Sequence, residues 1–242
     1  MPVIKELPSL KEKKILMVHG GWQGHKPKEH TEKIAQLLRE QGAVVTLSPS
    51  VAVYSDSFFM AGLDIVIQSV TMDKISKEEL NGLLTAVKNG MGFAGCHGGA
   101  GDSFRAATGY QYMVGGQFVK HPGGQVDHSV QITNPNDAIT KGVSNFDIHS
   151  EQYYMHVDPN VKVLATTTFS GEHDNWIEGA TIPVVWKKFF GNGRVFYFSV
   201  GHNPELFDEI TQARDLLVRG IKWASGSKYE EKEEWLSPMY PN

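Results

Sequence analysis

Apolar residues follow two different rhythms along this chain. A continuous apolar run at residues 14–18 (Lys14-Ile15-Leu16-Met17-Val18) predicts a strand buried on both faces, and residues 44–47 and 64–70 read as the second and third strands. Between the first two, Ile34, Ala35, Leu37 and Leu38 share one face of a helix predicted over residues 28–41 and stopped by Gly42. Ser76-Lys77-Glu78-Glu79 reads as a capping box opening a second helix, which Leu80, Leu83, Leu84 and Val87 carry to Asn89-Gly90. Strands alternating with helices of this length predict right-handed βαβ units and a parallel sheet. Such sheets bind ligands outside the carboxyl ends of their strands.

The pattern changes further along. Residues 102–107 read as the start of a short helix, and residues 126–133 alternate polar with apolar, as on a half-exposed strand. Asn134-Pro135-Asn136-Asp137 is a turn, and residues 148–154 and 161–166 read as extended. Residues 183–187 and 194–200 flank Phe190-Gly191-Asn192-Gly193 and predict a hairpin. A last helix is predicted over about residues 204–223, followed by a charged stretch at 228–234. Trp235, Met239 and Tyr240 near the end suit contact with the body or with a second copy, which makes a homo-oligomer the expectation. No repeat or linker divides the chain, so residues 1–242 read as one domain, its core at about 14–224 and its tail at 225–242.

Composition then narrows the function classes. A formal charge of −4 and a pI near 6.2 argue against a nucleic-acid binder, which would show a basic face. No apolar run reaches membrane-spanning length, and Met1-Pro2-Val3-Ile4-Lys5-Glu6 carries no export signal, so the expected location is the cytoplasm. The single cysteine, Cys96, excludes an internal disulfide and a Cys-based zinc knuckle. Histidine is plentiful at ten residues, and half of them sit beside glycine or proline in loop-like contexts.

One of them occupies a distinctive corner. Gly95-Cys96-His97-Gly98-Gly99 follows a short apolar run and has the spacing of the strand-to-helix elbow that carries a nucleophile in α/β hydrolases. Here the apex is an imidazole, which offers a base or a metal ligand. Three histidines are predicted at strand exits, His19, His97 and His202, and His149 lies two residues before Glu151 on an extended segment, so both point the same way. His19, His97, His149 and His202 are therefore candidate ligands for a divalent metal, most simply zinc. His97, Glu151 and His19 are the candidate catalytic groups. Trp22 and Tyr153 are candidate aromatic walls for a sugar ring, with His121, Gly98 and Gly99 lining the same pocket. His25, His30, His128, His156 and His173 read as surface or structural. Asp102 reads as a helix cap, and Gly20-Gly21 lacks a nucleotide fingerprint.

Several of these segments together resemble the ThuA-like (trehalose utilisation) family. They are Val18-His19-Gly20-Gly21, Gly95-Cys96-His97-Gly98-Gly99, Gly115-Gly116-Gln117-Phe118 with His121-Pro122, Glu151-Gln152-Tyr153, Pro183-Val184-Val185-Trp186, and Gly193-Arg194-Val195-Phe196-Tyr197 with Gly201-His202. The resemblance runs from about residue 14 to residue 223. It implies a class I glutamine amidotransferase-like fold, a flavodoxin-like three-layer α/β sandwich with a mostly parallel central sheet. It also implies a role in disaccharide utilisation through 3-keto sugars made by a partner sugar dehydrogenase. True amidotransferases place Cys at the elbow apex and a His-x-Glu pair later. This chain has His97 there, Cys96 one position early, and Glu205 three residues after His202, so glutaminase chemistry lacks its nucleophile. The expectation is a metal-assisted enzyme acting on a carbohydrate. The alternative is a non-catalytic sugar-binding accessory to the dehydrogenase.

Overall fold

Alternate residues of the first apolar run are buried in two separate cores. Ile15 and Met17 pack into one, Leu16 and Val18 into the other. A strand with both faces buried needs a helical layer on each side, and the computed structural model, which describes residues 6–231, has them. β1 (Lys14–Gly21) lies between β2 (Val44–Ser48) and β3 (Ile65–Thr71); β3 pairs with β4 (Gly92–Cys96), and β4 with β11 (Gly193–Phe198). All four pairings are parallel. The order β2-β1-β3-β4-β11 is that of a flavodoxin-like sheet.

Helices α1 (Pro27–Arg39) and α7 (Thr211–Ser225) cover one face through Ile34, Leu38, Leu216 and Ile221. On the other face, α3 (Lys77–Lys88) and α5 (Thr108–Val114) pack Leu83, Val87, Tyr110 and Met113, with Met60 of the short α2 (Ser57–Ala61). The capping box of α3 has both halves: Glu79 N–H donates to Ser76 Oγ (3.2 Å) and Ser76 N–H to Glu79 Oε2 (2.7 Å).

Beyond β11 the sheet turns antiparallel, through β10 (Thr181–Phe190), β9 (Lys162–Thr168), β6 (Gln125–Ile132) and β7 (Phe146–Glu151). The β10–β9 ladder shifts register twice, at Pro183/Val185 and Val185/Trp186, and such bulges bend a sheet. β5 (Gly116–Lys120) and β8 (Tyr154–Val157) form a separate antiparallel ribbon. The predicted last helix is broken: α6 (Leu206–Glu209) and α7 are separated by Ile210, whose backbone is extended (φ −114°, ψ 97°). The helix expected at residues 102–107 is instead a turn between α4 (His97–Gly101) and α5. Trp235, Met239 and Tyr240 lie outside the described residues. Among those described, no helix is long and apolar enough to cross a membrane.

Candidate functional site

The elbow is real and strained. His97 directly follows β4 and opens α4 with φ +50°, in the left-handed region that a residue with a Cβ enters only at a cost. Neighbouring backbone is crowded: a Cβ on Gly98 would stand 2.7 Å from His25 Cε1 and 3.0 Å from the Tyr153 hydroxyl. A Cβ on Gly99 would meet Ser69 Cα at 2.8 Å, so Gly99 seats the corner on β3 rather than lining a pocket as expected.

From that corner the buried His97 ring makes two kinds of contact. Its Nδ1 donates to the Ser199 carbonyl (2.9 Å), which can only accept. In the neutral ring Nε2 is then a bare lone pair, and it lies 2.9 Å from Glu151 Oε2 and 2.9 Å from the Tyr153 hydroxyl. Burial pushes the His97 pKa down to about 4, against the pull of the Glu151 carboxylate, which favours the protonated ring, so the ring is neutral near pH 7. Tyr153 stacks on it, with centroids 4.2 Å apart and its hydroxyl 2.9 Å from Nε2.

Glu151 Oε2 is the focus. His97 Nε2 approaches to 2.9 Å, His202 Nδ1 to 3.2 Å and His25 Nε2 to 3.6 Å. The His202 nitrogen is out of line and has no hydrogen-bond partner, although it is buried. Burial opposes ionisation of Glu151, but neighbouring imidazoles, His202 and His25 foremost, outweigh it and hold the carboxyl well below the usual carboxylate range. One ligand atom from each of His25, His97, His202 and Glu151 falls within 4.8 Å of the others. Ligand atoms around one tetrahedral zinc are separated by roughly 3.3 Å, given zinc–nitrogen distances near 2.0 Å. Second partners also fit metal-binding histidines: Ser199 oxygen holds His97 Nδ1, and Thr71 Oγ1 lies 3.1 Å from His25 Nδ1.

Two expected members are elsewhere. β1 runs on to Gly21, paired with Thr71 of β3, so His19 is a strand residue and not an exit residue. Its charged neighbours are Glu32, Lys28 and Glu29 of α1, and burial lowers its pKa. The true exit delivers Trp22 and then His25, at the end of the single 3-10 turn Gln23–His25, and His25 takes the place assigned to His19. His149 shares a strand face with Glu151, as its spacing required. That face is open to solvent at His149, which is 64% exposed and bonds Asp127, its cross-strand neighbour, at 2.8 Å. The strand ends at Glu151, and only there does the face turn inward.

Of the remaining candidates, Trp22 is 47% exposed and packs edge-on against His25 at 4.8 Å. His121 Nε2 lies 3.8 Å from Glu151 Oε1, and its ring stacks on Phe118 at 5.6 Å. Glu205 is on the surface, facing Lys26 at 3.8 Å. Cys96 is buried 3.8 Å from His30 Nε2, and burial pushes its thiol up to about 12, leaving no thiolate at neutral pH.

The family model described as trehalose utilisation, ThuA, matches residues 14–224. The chain belongs to the ThuA family. Solved ThuA-like proteins from Bacteroides uniformis and Parabacteroides merdae superpose on it with TM-scores of 0.74, each at 19% identity, over 93% and 94% of this chain and 95% of each of theirs. A cytoplasmic protein from Salmonella typhimurium LT2 shares the fold with a TM-score of 0.60 at 15% identity, covering 86% of this ThuA chain and 98% of its own. No curated protein sequence matches it significantly. Membership of the ThuA family associates the chain with sugar utilisation.

Proposed function

We propose that this ThuA protein is a metal-assisted enzyme acting on a carbohydrate in sugar utilisation, working in the cytoplasm. The observation that carries the reading is the Glu151 oxygen facing imidazole nitrogens from three separate segments, one of which, His97 Nε2, is left as a lone pair in the neutral ring by the bond to Ser199. Acceptor facing acceptor at 2.9 Å calls for a positive charge at that point, supplied by a proton or by a metal ion. A buried histidine nitrogen without a partner, on His202, supports the same conclusion. His25, His97, His202 and Glu151 would hold the ion, and the nitrogen-rich donor set suits zinc. When bound, such an ion polarises a carbonyl or hydroxyl oxygen of the sugar.

The chain's own groups divide the remaining work. A carboxyl held so firmly ionised as Glu151 is a poor proton acceptor near neutral pH, so it serves as an anionic anchor. His121 is half exposed and reaches the other oxygen of Glu151, which places it to move a proton between substrate and solvent. The Tyr153 hydroxyl, pushed well above the ordinary tyrosine range by burial, stays protonated and donates. Trp22 offers an exposed indole face beside His25 on which a sugar ring can stack.

The test is elemental analysis of the purified full-length protein, followed by turnover of a 3-keto disaccharide with no dehydrogenase present. Stoichiometric zinc that is lost in a folded His97→Ala variant, together with turnover, is the expected result. Turnover that persists in the metal-free protein would overturn the metal. Binding without turnover would leave the accessory role.

A further inference from the structure

We propose that Arg105 determines substrate specificity at this site, as a charge-cancelled fork that grips oxygens of an uncharged sugar ring; the inference rests on the carbohydrate reading above. Arg105 Nε and Nη2 donate to Asp102 Oδ1 and Oδ2 at 2.7 and 2.6 Å, a bidentate clamp. Asp102 is buried and takes a further bond from Gln117 Nε2 at 3.2 Å. The guanidinium is thereby locked in one plane while the Arg105 side chain stays 56% exposed. Its other N–H groups make no hydrogen bond to the described residues.

Backbone connections place this fork on the rim of the histidine cluster. Asp102 directly follows α4, the helix that begins at His97, and its carbonyl accepts Met72 N–H at 2.8 Å. Thr71, adjacent to Met72, holds His25 through its hydroxyl and accepts Trp22 N–H at 2.8 Å through its carbonyl. On the far side, Phe118 follows Gln117 and packs on Tyr153 with centroids 4.5 Å apart. Trp22, Met72 and Arg105 are the exposed members of this ring of contacts.

Charge decides what the fork can take. An arginine that recognises phosphate or carboxylate brings a net positive charge, whereas Asp102 cancels this one. What remains is a rigid set of N–H donors, suited to neighbouring hydroxyl or keto oxygens of a neutral ring. A phosphoryl group at the fork itself would meet a cation already paired with Asp102.

Binding of trehalose and of trehalose 6-phosphate to the full-length protein supplied with zinc tests this. Wild type should bind trehalose. Arg105→Ala should weaken trehalose binding about tenfold or more, with zinc content unchanged. Arg105→Lys keeps the ion pair with Asp102, and so the fold, but lacks the fork, and should lose a similar factor. Asp102→Asn, which uncovers the cation, should shift preference toward the 6-phosphate. Full binding by Arg105→Ala, rescue by Arg105→Lys, or an Asp102→Asn variant whose preference does not move would each overturn the fork while leaving the carbohydrate reading intact. If wild type binds neither of these sugars nor the 3-keto disaccharide, the carbohydrate reading itself falls, and this inference with it.

Discussion

His30 shows how much a single buried ring can weigh. It sits on α1 with Nε2 donating to the Gly201 carbonyl at 3.1 Å, its Nδ1 unpartnered, and burial lowers its pKa from 6.5 to about 4. The folded ring is therefore harder to protonate than the unfolded one. Stability from this group is complete above pH 6.5 and drains away as the pH falls toward 4, where both states are protonated. The gap is worth about 3 kcal/mol. Urea midpoints should drop between pH 7 and pH 5, and drop by about half as much in His30→Gln, which still donates to Gly201 while His97 keeps a like shift. A pH-independent wild type would contradict this. Gly98 gives a sharper local test. A Cβ there collides with the His25 ring, so Gly98→Ala should weaken zinc binding roughly tenfold in a protein that still folds, as read by competition with a chelator.

At the scale of elements, legibility followed from how much each segment's own pattern decides. The parallel core was readable because its strands are apolar on both faces and its helices carry complete signals, as at Ser76-Lys77-Glu78-Glu79. Removing that signal has a known cost: Ser76→Ala should destabilise the protein by about 1 kcal/mol in a denaturant titration. An unchanged midpoint would mean that tertiary packing alone fixes the start of α3. The elbow was readable too, since only small residues tolerate the contacts around His97. What could not be read was where a strand stops. Pairing with β3 carries β1 through His19 to Gly21, a tertiary fact that moved the exit to His25. Likewise Glu151 and His149 share a face, but only the fold decides which end of that face meets solvent. The break at Ile210 has no proline or glycine to announce it.

The whole molecule supplies the one contact that no local pattern contains. β7 is five places from β4 in strand order. Laid flat at about 4.8 Å per strand, that is roughly 24 Å, far beyond the reach of one glutamate and one histidine side chain. Yet Glu151 Oε2 is 2.9 Å from His97 Nε2. The antiparallel half must therefore curl back over the carboxyl edge of the parallel half, helped by strand twist and by the register shifts between β10 and β9. The candidate site is the seam of that closure, where the two halves meet through His25, His97 and His202 on one side and Glu151 on the other. An ion bound in the seam binds only the closed sheet, so it must stabilise the fold. At one hundred times its dissociation constant, zinc should add about 2.7 kcal/mol and raise Tm by roughly 5–10 °C. Glu151→Gln keeps the side chain's shape but removes the anion that draws the ion in, and its Tm should respond little to zinc. Equal zinc responses in wild type and Glu151→Gln would show that the ion binds away from the seam. In that case the curl of the sheet would owe its stability to packing and to the Tyr153–His97 stack alone.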